Sequence, residues 1–244
     1  MPPDTDTDLQ IRCSEGGTFA AAVARPAAPN GRAVIVLQEI FGVTRKIRGY
    51  CTMFAAQGYL AIAPDLFWRM DRGVQLGHDE EGMKRALEYL QRYDDAAGLE
   101  DIRACAEHLR AQGAGKIAVT GYCLGGKLAA LAAARGDADA AVSFYPVGLE
   151  QSLDALRGLR VPLQLHFGAQ DTYIPAAAIE QIEVAVAGAP GMELHRYAEA
   201  GHAFFRPDLK GDASATAWKR TLAFLDAHLS CSRNSASPPG AGEG

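Results

Sequence analysis

The sequence predicts an α/β fold: a mostly parallel central sheet with helices on both faces. Three observations predict it. Short apolar runs alternate with helical patterns along most of the chain. One apolar run turns directly into a helix through a glycine-rich bend. The residues able to do chemistry fall just past the ends of apolar runs, where parallel sheets gather function.

Taken in order, residues 9–24 can add edge strands, and the apolar run 33–37 reads as a buried strand followed by a helix over 44–57. A second strand, 59–63, is closed by Pro64-Asp65. Helical patterns follow at 79–93 and 96–112, then a strand at 116–120 and a helix at 124–135. The rest alternates the same way: strands at 140–144, 163–167 and 192–197, helices at 175–186 and 214–228. No linker or repeat interrupts residues 9–230, which predicts one domain. Residues 231–244 are rich in Ser, Pro and Gly without an apolar anchor, so a disordered tail is expected there.

The bend is Gly121-Tyr122-Cys123-Leu124-Gly125-Gly126. A strand entering a helix through Gly-x-nucleophile-x-Gly is the nucleophile elbow of the α/β-hydrolase fold, with Cys123 where Ser usually stands. The turn is sharp and neighbouring elements press close, so Gly121 and Gly125 meet a steric need. Two other readings exist. Gly121, Gly126 and Lys127 fit the start of a phosphate-binding loop, but Leu128 stands where that loop needs Ser or Thr. Cys123 could also be a buried structural thiol.

Bulk properties exclude several classes. The chain has 244 residues, 48% of them hydrophobic, and a net charge of −5. That balance speaks for a soluble protein and against a nucleic-acid binder. No apolar run approaches the ~20 residues of a membrane span. The five cysteines are odd in number and lack zinc-site or Cys-x-x-Cys spacing, as expected in a reducing compartment. The acidic N-terminus does not follow the order of a signal peptide, so the cytoplasm is the expected location.

Four loops follow predicted strands: Gln38-Glu39-Ile40-Phe41-Gly42, the elbow, Gly168-Ala169-Gln170-Asp171, and the segment from Ala198 to Phe204 that contains His202. A nucleophile, an acid and a histidine thus appear in the chain order of α/β-hydrolase triads. Cys123 would attack, His202 would move protons, and Asp171 would fix the imidazole tautomer. Taken alone, Asp171 could be a turn residue and His202 an ordinary loop histidine. His78, His108, His166, His195 and His228 lie on elements or connections that do not suit the role. Glu39 is flanked by Ile40 and Phe41, an apolar setting that favours proton exchange with a thiol.

These motifs, with Pro64-Asp65-Leu66-Phe67 and Gly201-His202-Ala203-Phe204-Phe205-Arg206, resemble the dienelactone hydrolase family over roughly residues 10–228. The resemblance implies a triad of Cys123, Asp171 and His202. It implies Glu39 as the carboxylate that meets the resting thiol, and the N–H groups of Leu124 and Ile40 as the oxyanion hole. It implies Arg206 as anchor for a substrate carboxylate, with Phe41 and Tyr122 beside the substrate. Well-known members carry a second arginine where this chain offers Met83, Lys84 and Arg85, so Lys84 and Arg85 are the candidates for that place. The implied reaction is hydrolysis of a small, anionic lactone or ester through a thioester, with no metal or organic cofactor. The competing readings are an esterase of uncharged substrates and a non-enzymatic binding protein or thiol sensor. A sensor needs a resolving cysteine, and none stands beside Cys123 in sequence.

Overall fold

A computed structural model describes residues 8–14, 16–159 and 161–230. The expected tail, 231–244, lies outside them. Among the described residues, eight strands form one sheet: β1 (Leu9–Arg12), β2 (Thr18–Ala24), β3 (Arg32–Leu37), β4 (Leu60–Pro64), β5 (Lys116–Tyr122), β6 (Ala140–Phe144), β7 (Leu163–Gly168) and β8 (Met192–Tyr197). The spatial order is β1-β2-β4-β3-β5-β6-β7-β8, with β1 and β2 antiparallel at one edge and the rest parallel. β3 and β6 are buried almost throughout, as strands covered on both faces must be.

Among the described residues, seven α-helices connect and cover the sheet: α1 (Arg45–Ala56), α2 (Glu80–Arg92), α3 (Asp95–Ala111), α4 (Leu124–Arg135), α5 (Leu153–Arg157), α6 (Ala176–Val186) and α7 (Asp212–Leu229). α1 meets α7 through Phe54 and Trp218 on one face, while α3 packs with α4 on the other. Asp79 caps α2 by accepting the Gly82 N–H at 2.8 Å, and Asp94 caps α3 through the Ala96 and Ala97 amides. Among the described residues no helix is long and apolar enough to cross a membrane.

Two differences from the sequence reading matter. β5 runs to Tyr122, past the expected end at residue 120, because Gly121 and Tyr122 stay in register with Ser143 and Phe144. A 3-10 turn (Leu149–Ser152) and the short α5 lie after β6, where no helix was expected.

A polar network ties β7, β8 and α7 together. Gln164 donates through Nε2 to Glu193 (2.7 Å) and to the Arg220 carbonyl (3.3 Å), so its Oε1 accepts from His166 Nε2 at 2.8 Å. That fixes the His166 tautomer, and Nδ1 accepts from the Tyr197 hydroxyl at 2.8 Å. Burial, then the nearby His195 and Arg220, hold the His166 pKa well below the usual histidine value. His166 therefore stays neutral in the native state, while the unfolded chain binds a proton below about pH 6.5. Stability is full above that pH and falls as pH drops, with up to ~1.4 kcal/mol per pH unit from this one group. The check is denaturant unfolding of wild type and His166→Gln over the range from neutral to mildly acidic. The stability gap between them should shrink as pH falls; a constant gap would refute the assignment.

Candidate active site

The elbow joins β5 to α4. Cys123 sits at φ 56° and ψ −114°, a strained conformation for a side chain with a Cβ. It is held there because its N–H donates to the Phe144 carbonyl (3.1 Å) and its carbonyl accepts from the Lys127 N–H (3.1 Å). The glycines are demanded by close approach. A Cβ on Gly125 would lie 2.5 Å from the Gln38 carbonyl oxygen, and one on Gly126 would lie 2.5 Å from that of Phe144. A Cβ on Gly121 would collide with the Gly125 carbonyl. Strand and helix can therefore cross only with hydrogen at these positions.

The Gln38 loop is anchored with equal economy. The buried Gln38 accepts the Leu66 N–H at 3.1 Å and donates to the Glu39 carbonyl at 3.3 Å. Asp65 accepts the amides of Phe67 (3.1 Å) and Gly73 (2.8 Å). Gln38-Glu39 and Pro64-Asp65-Leu66 are thus parts of one hydrogen-bonded loop pair, which accounts for their joint presence in the sequence.

Asp171 makes a contact through each of its carboxylate oxygens. Its Oδ1 accepts the Tyr173 N–H at 2.8 Å, a local turn, and its Oδ2 meets His202 Nδ1 at 2.7 Å. The His202 ring lies against the edges or faces of Tyr145 and Tyr173, with centroids 5.0 and 4.9 Å away. With Nδ1 occupied, Nε2 is the nitrogen left for other chemistry.

Cys123, His202, Glu39, Ile40, Phe41 and Leu124 border one cavity of about 500 Å³. Glu39 is only 4% exposed, and its Oε1 accepts from Lys46 Nζ at 2.8 Å. The sequence reading gave Glu39 apolar neighbours and missed this cation. Burial first, then the Glu39 charge, push the Cys123 thiol up to about 12; Asp171 adds to the rise, while the Leu124 N–H and Lys46 oppose it. Cys123 therefore rests as a neutral thiol at physiological pH, despite its helix N-terminus.

Other expected site residues are placed elsewhere. Arg206 borders an adjoining cleft of about 820 Å³ with Arg45, Lys46 and His78; His78 and Ala203 border both spaces. Tyr122 does not reach the cavity: it is fully buried, stacked on Tyr50, Phe144 and Phe205. Lys84 and Arg85 do not line it either. Both are exposed on α2, and Arg85 interacts with Tyr89. Met83, Leu87 and Leu90 of the same helix line the cavity instead. Lys127, the lysine of the phosphate-loop reading, is tied to Asp95 at 2.5 Å. Lys46 was not among the expected site residues, and His78, set aside as the triad histidine, borders both spaces. Lys46 had a readable signal, since the first turn of a helix that follows a strand-end loop stands beside that loop.

Known proteins resemble this chain over most of its length. A family model described as the dienelactone hydrolase family matches residues 19–229. The carboxymethylenebutenolidase of Pseudomonas putida is 38% identical over 223 residues, covering 89% of this chain and 94% of its own. The crystal structure of a dienelactone hydrolase-type protein of Klebsiella pneumoniae is similar at 32% identity and a TM-score of 0.76, covering 90% of this chain and 98% of that one. A dienelactone hydrolase-like promiscuous phosphotriesterase from metagenomic libraries shares the fold at 18% identity and a TM-score of 0.74, covering 91% of this chain and 98% of its own.

Proposed function

The chain belongs to the dienelactone hydrolase family, and from that premise we propose that this hydrolase opens a lactone or small carboxylic ester through Cys123, His202 and Asp171 by way of a thioester. The observation that carries the reading is the shared cavity. A thiol on a strained elbow and an imidazole held by a buried carboxylate at 2.7 Å border the same space.

The neutral thiol requires a base at the moment of attack. Glu39 borders the cavity and takes the thiol proton once substrate is bound. The thiolate attacks the carbonyl, and the negative charge grows on oxygen before the N–H groups of Leu124 and Ile40. Each such donor contributes roughly 10²–10³ in rate. The C–O bond breaks to give the thioester, and the proton that Glu39 took passes to the leaving alkoxide, giving an alcohol that for a lactone remains attached. His202 Nε2 then removes a proton from water, hydroxide adds to the thioester, and the departing sulfur is reprotonated as the acid product leaves. The cleft of Arg45, Lys46 and Arg206 supports an anionic substrate, with Arg206 as a planar partner for its carboxylate.

The experiment is a hydrolysis screen of activated esters and small lactones, each with and without a carboxylate. Turnover of activated esters, faster for acidic lactones and losing ~10-fold of that preference in Arg206→Ala, is expected. Equal losses on acidic and neutral substrates would make Arg206 a support of its loop and favour an esterase of uncharged substrates.

Glu39→Gln should separate two rates. It removes the charge that, after burial, most raises the thiol. Alkylation of Cys123 by neutral iodoacetamide should therefore speed up at mildly alkaline pH. Ester turnover should slow, because the proton acceptor is gone. If both rates match wild type, Glu39 is only a strand-end carboxylate tied to Lys46.

A further inference from the structure

α2 presents an apolar face wider than its packing against the body of the protein uses. Ala86 and Tyr89 face the body of the protein and are buried. Met83, Leu87 and Leu90, at helical spacing, face the cavity above Cys123. This side of the apolar face is not hidden. Among the described residues, three large apolar side chains are exposed: Leu87 at 45%, Tyr173 at 60% and Val184 at 77%. Two of those three, from separate parts of the chain, border this one cavity. Apolar surface left open at the mouth of a site marks what the site receives.

Charge divides the site the same way. The cations Arg45, Lys46 and Arg206 line the adjoining cleft. On the α2 side, the lining cation is Lys127, and it is committed to Asp95 at 2.5 Å. The cavity of about 500 Å³ falls within the ~300–1,000 Å³ that holds drug-sized ligands. A small lactone would leave most of it empty.

Resting on the hydrolase reading above, we propose that the substrate class is esters or lactones with a carbon-rich arm, which lies against Met83, Leu87, Leu90 and Tyr173 while the carbonyl meets Cys123. The arm excludes water from the apolar stripe, and longer arms bury more of it. Each buried methylene should raise kcat/KM by up to ~4-fold, the ratio that ~0.8 kcal/mol represents.

The test uses two homologous series measured by acid release: methyl esters of straight-chain acids from acetate to octanoate, and acetates of straight-chain alcohols from methyl to octyl. p-Nitrophenyl acetate serves as a separate check on turnover. Wild type is expected to show a steep rise with length in one series, which also tells whether the arm belongs to the acid or the alcohol. Leu87→Asp, a change at an exposed position, should flatten that rise by charging the stripe, and Leu87→Met should restore it. Flat wild-type series in both directions, or an unaltered slope in Leu87→Asp, would overturn the proposal while p-nitrophenyl acetate is still hydrolysed. No turnover of p-nitrophenyl acetate would instead overturn the hydrolase reading on which it rests.

Discussion

Cys123→Ala is expected to lower kcat/KM by roughly 10⁴-fold or more, the scale on which loss of a nucleophile acts when the rest of a site is intact. The fold should survive. Alanine keeps the Cβ that already tolerates φ 56°, and the elbow is held by backbone bonds to Phe144 and Lys127 that the change does not touch. Thermal unfolding of the variant should therefore match wild type within a few degrees, as a loss of order 1 kcal/mol allows. Mass spectrometry with a slow ester should find an acyl adduct on Cys123 alone. The reason is not the thiol pKa. Burial raises Cys51 to about 12, as it does Cys123, and raises Cys105 well above its ordinary range. What distinguishes Cys123 is that it borders a cavity with Glu39 and His202, whereas Cys51 and Cys105 are enclosed in the core. An adduct on either of those, or undiminished turnover in the variant, would end the assignment.

The parts of the site that were legible in the sequence are those that rest on local backbone geometry. The elbow needs glycine at fixed offsets, so Gly121 and Gly125 announce it. The loops after β7 and β8 carry Asp171 and His202 because strand ends are readable from apolar runs. What was not legible depends on rotation about an element's own axis. Tyr122 ends a strand buried on both faces, and without polar alternation nothing says which face its ring takes. The apolar residues of α2 span a wide arc, so the pattern could not tell whether Met83 or its basic neighbours Lys84 and Arg85 would turn toward Cys123. The Glu39–Lys46 pair joins a loop to the helix after it, a contact set by how α1 docks rather than by spacing alone. α5 has five residues, too few for a period to emerge.

The role of Asp171 admits a step-resolved test. Asp171→Asn keeps the size of the side chain and can keep the turn, since its carbonyl oxygen can still accept the Tyr173 N–H. Its amide then faces His202 Nδ1 and must donate, which forces the proton onto Nε2. Nε2–H cannot take a proton from water. Flipping the amide does not help, because its N–H₂ would then oppose the Tyr173 N–H. In the proposed mechanism Glu39 takes the thiol proton, so the damage falls on thioester hydrolysis rather than on its formation. With p-nitrophenyl acetate, whose leaving group needs no proton, Asp171→Asn should release a burst of nitrophenolate stoichiometric with enzyme. Steady turnover should then be slower by roughly 10³–10⁴-fold, as when the acid of a related triad is neutralised. The acetyl adduct on Cys123 should accumulate and be visible by mass. If the burst is lost together with steady turnover, His202 rather than Glu39 takes the thiol proton. If turnover falls less than about 10-fold, the 2.7 Å contact orients a loop and Asp171 has no part in proton transfer.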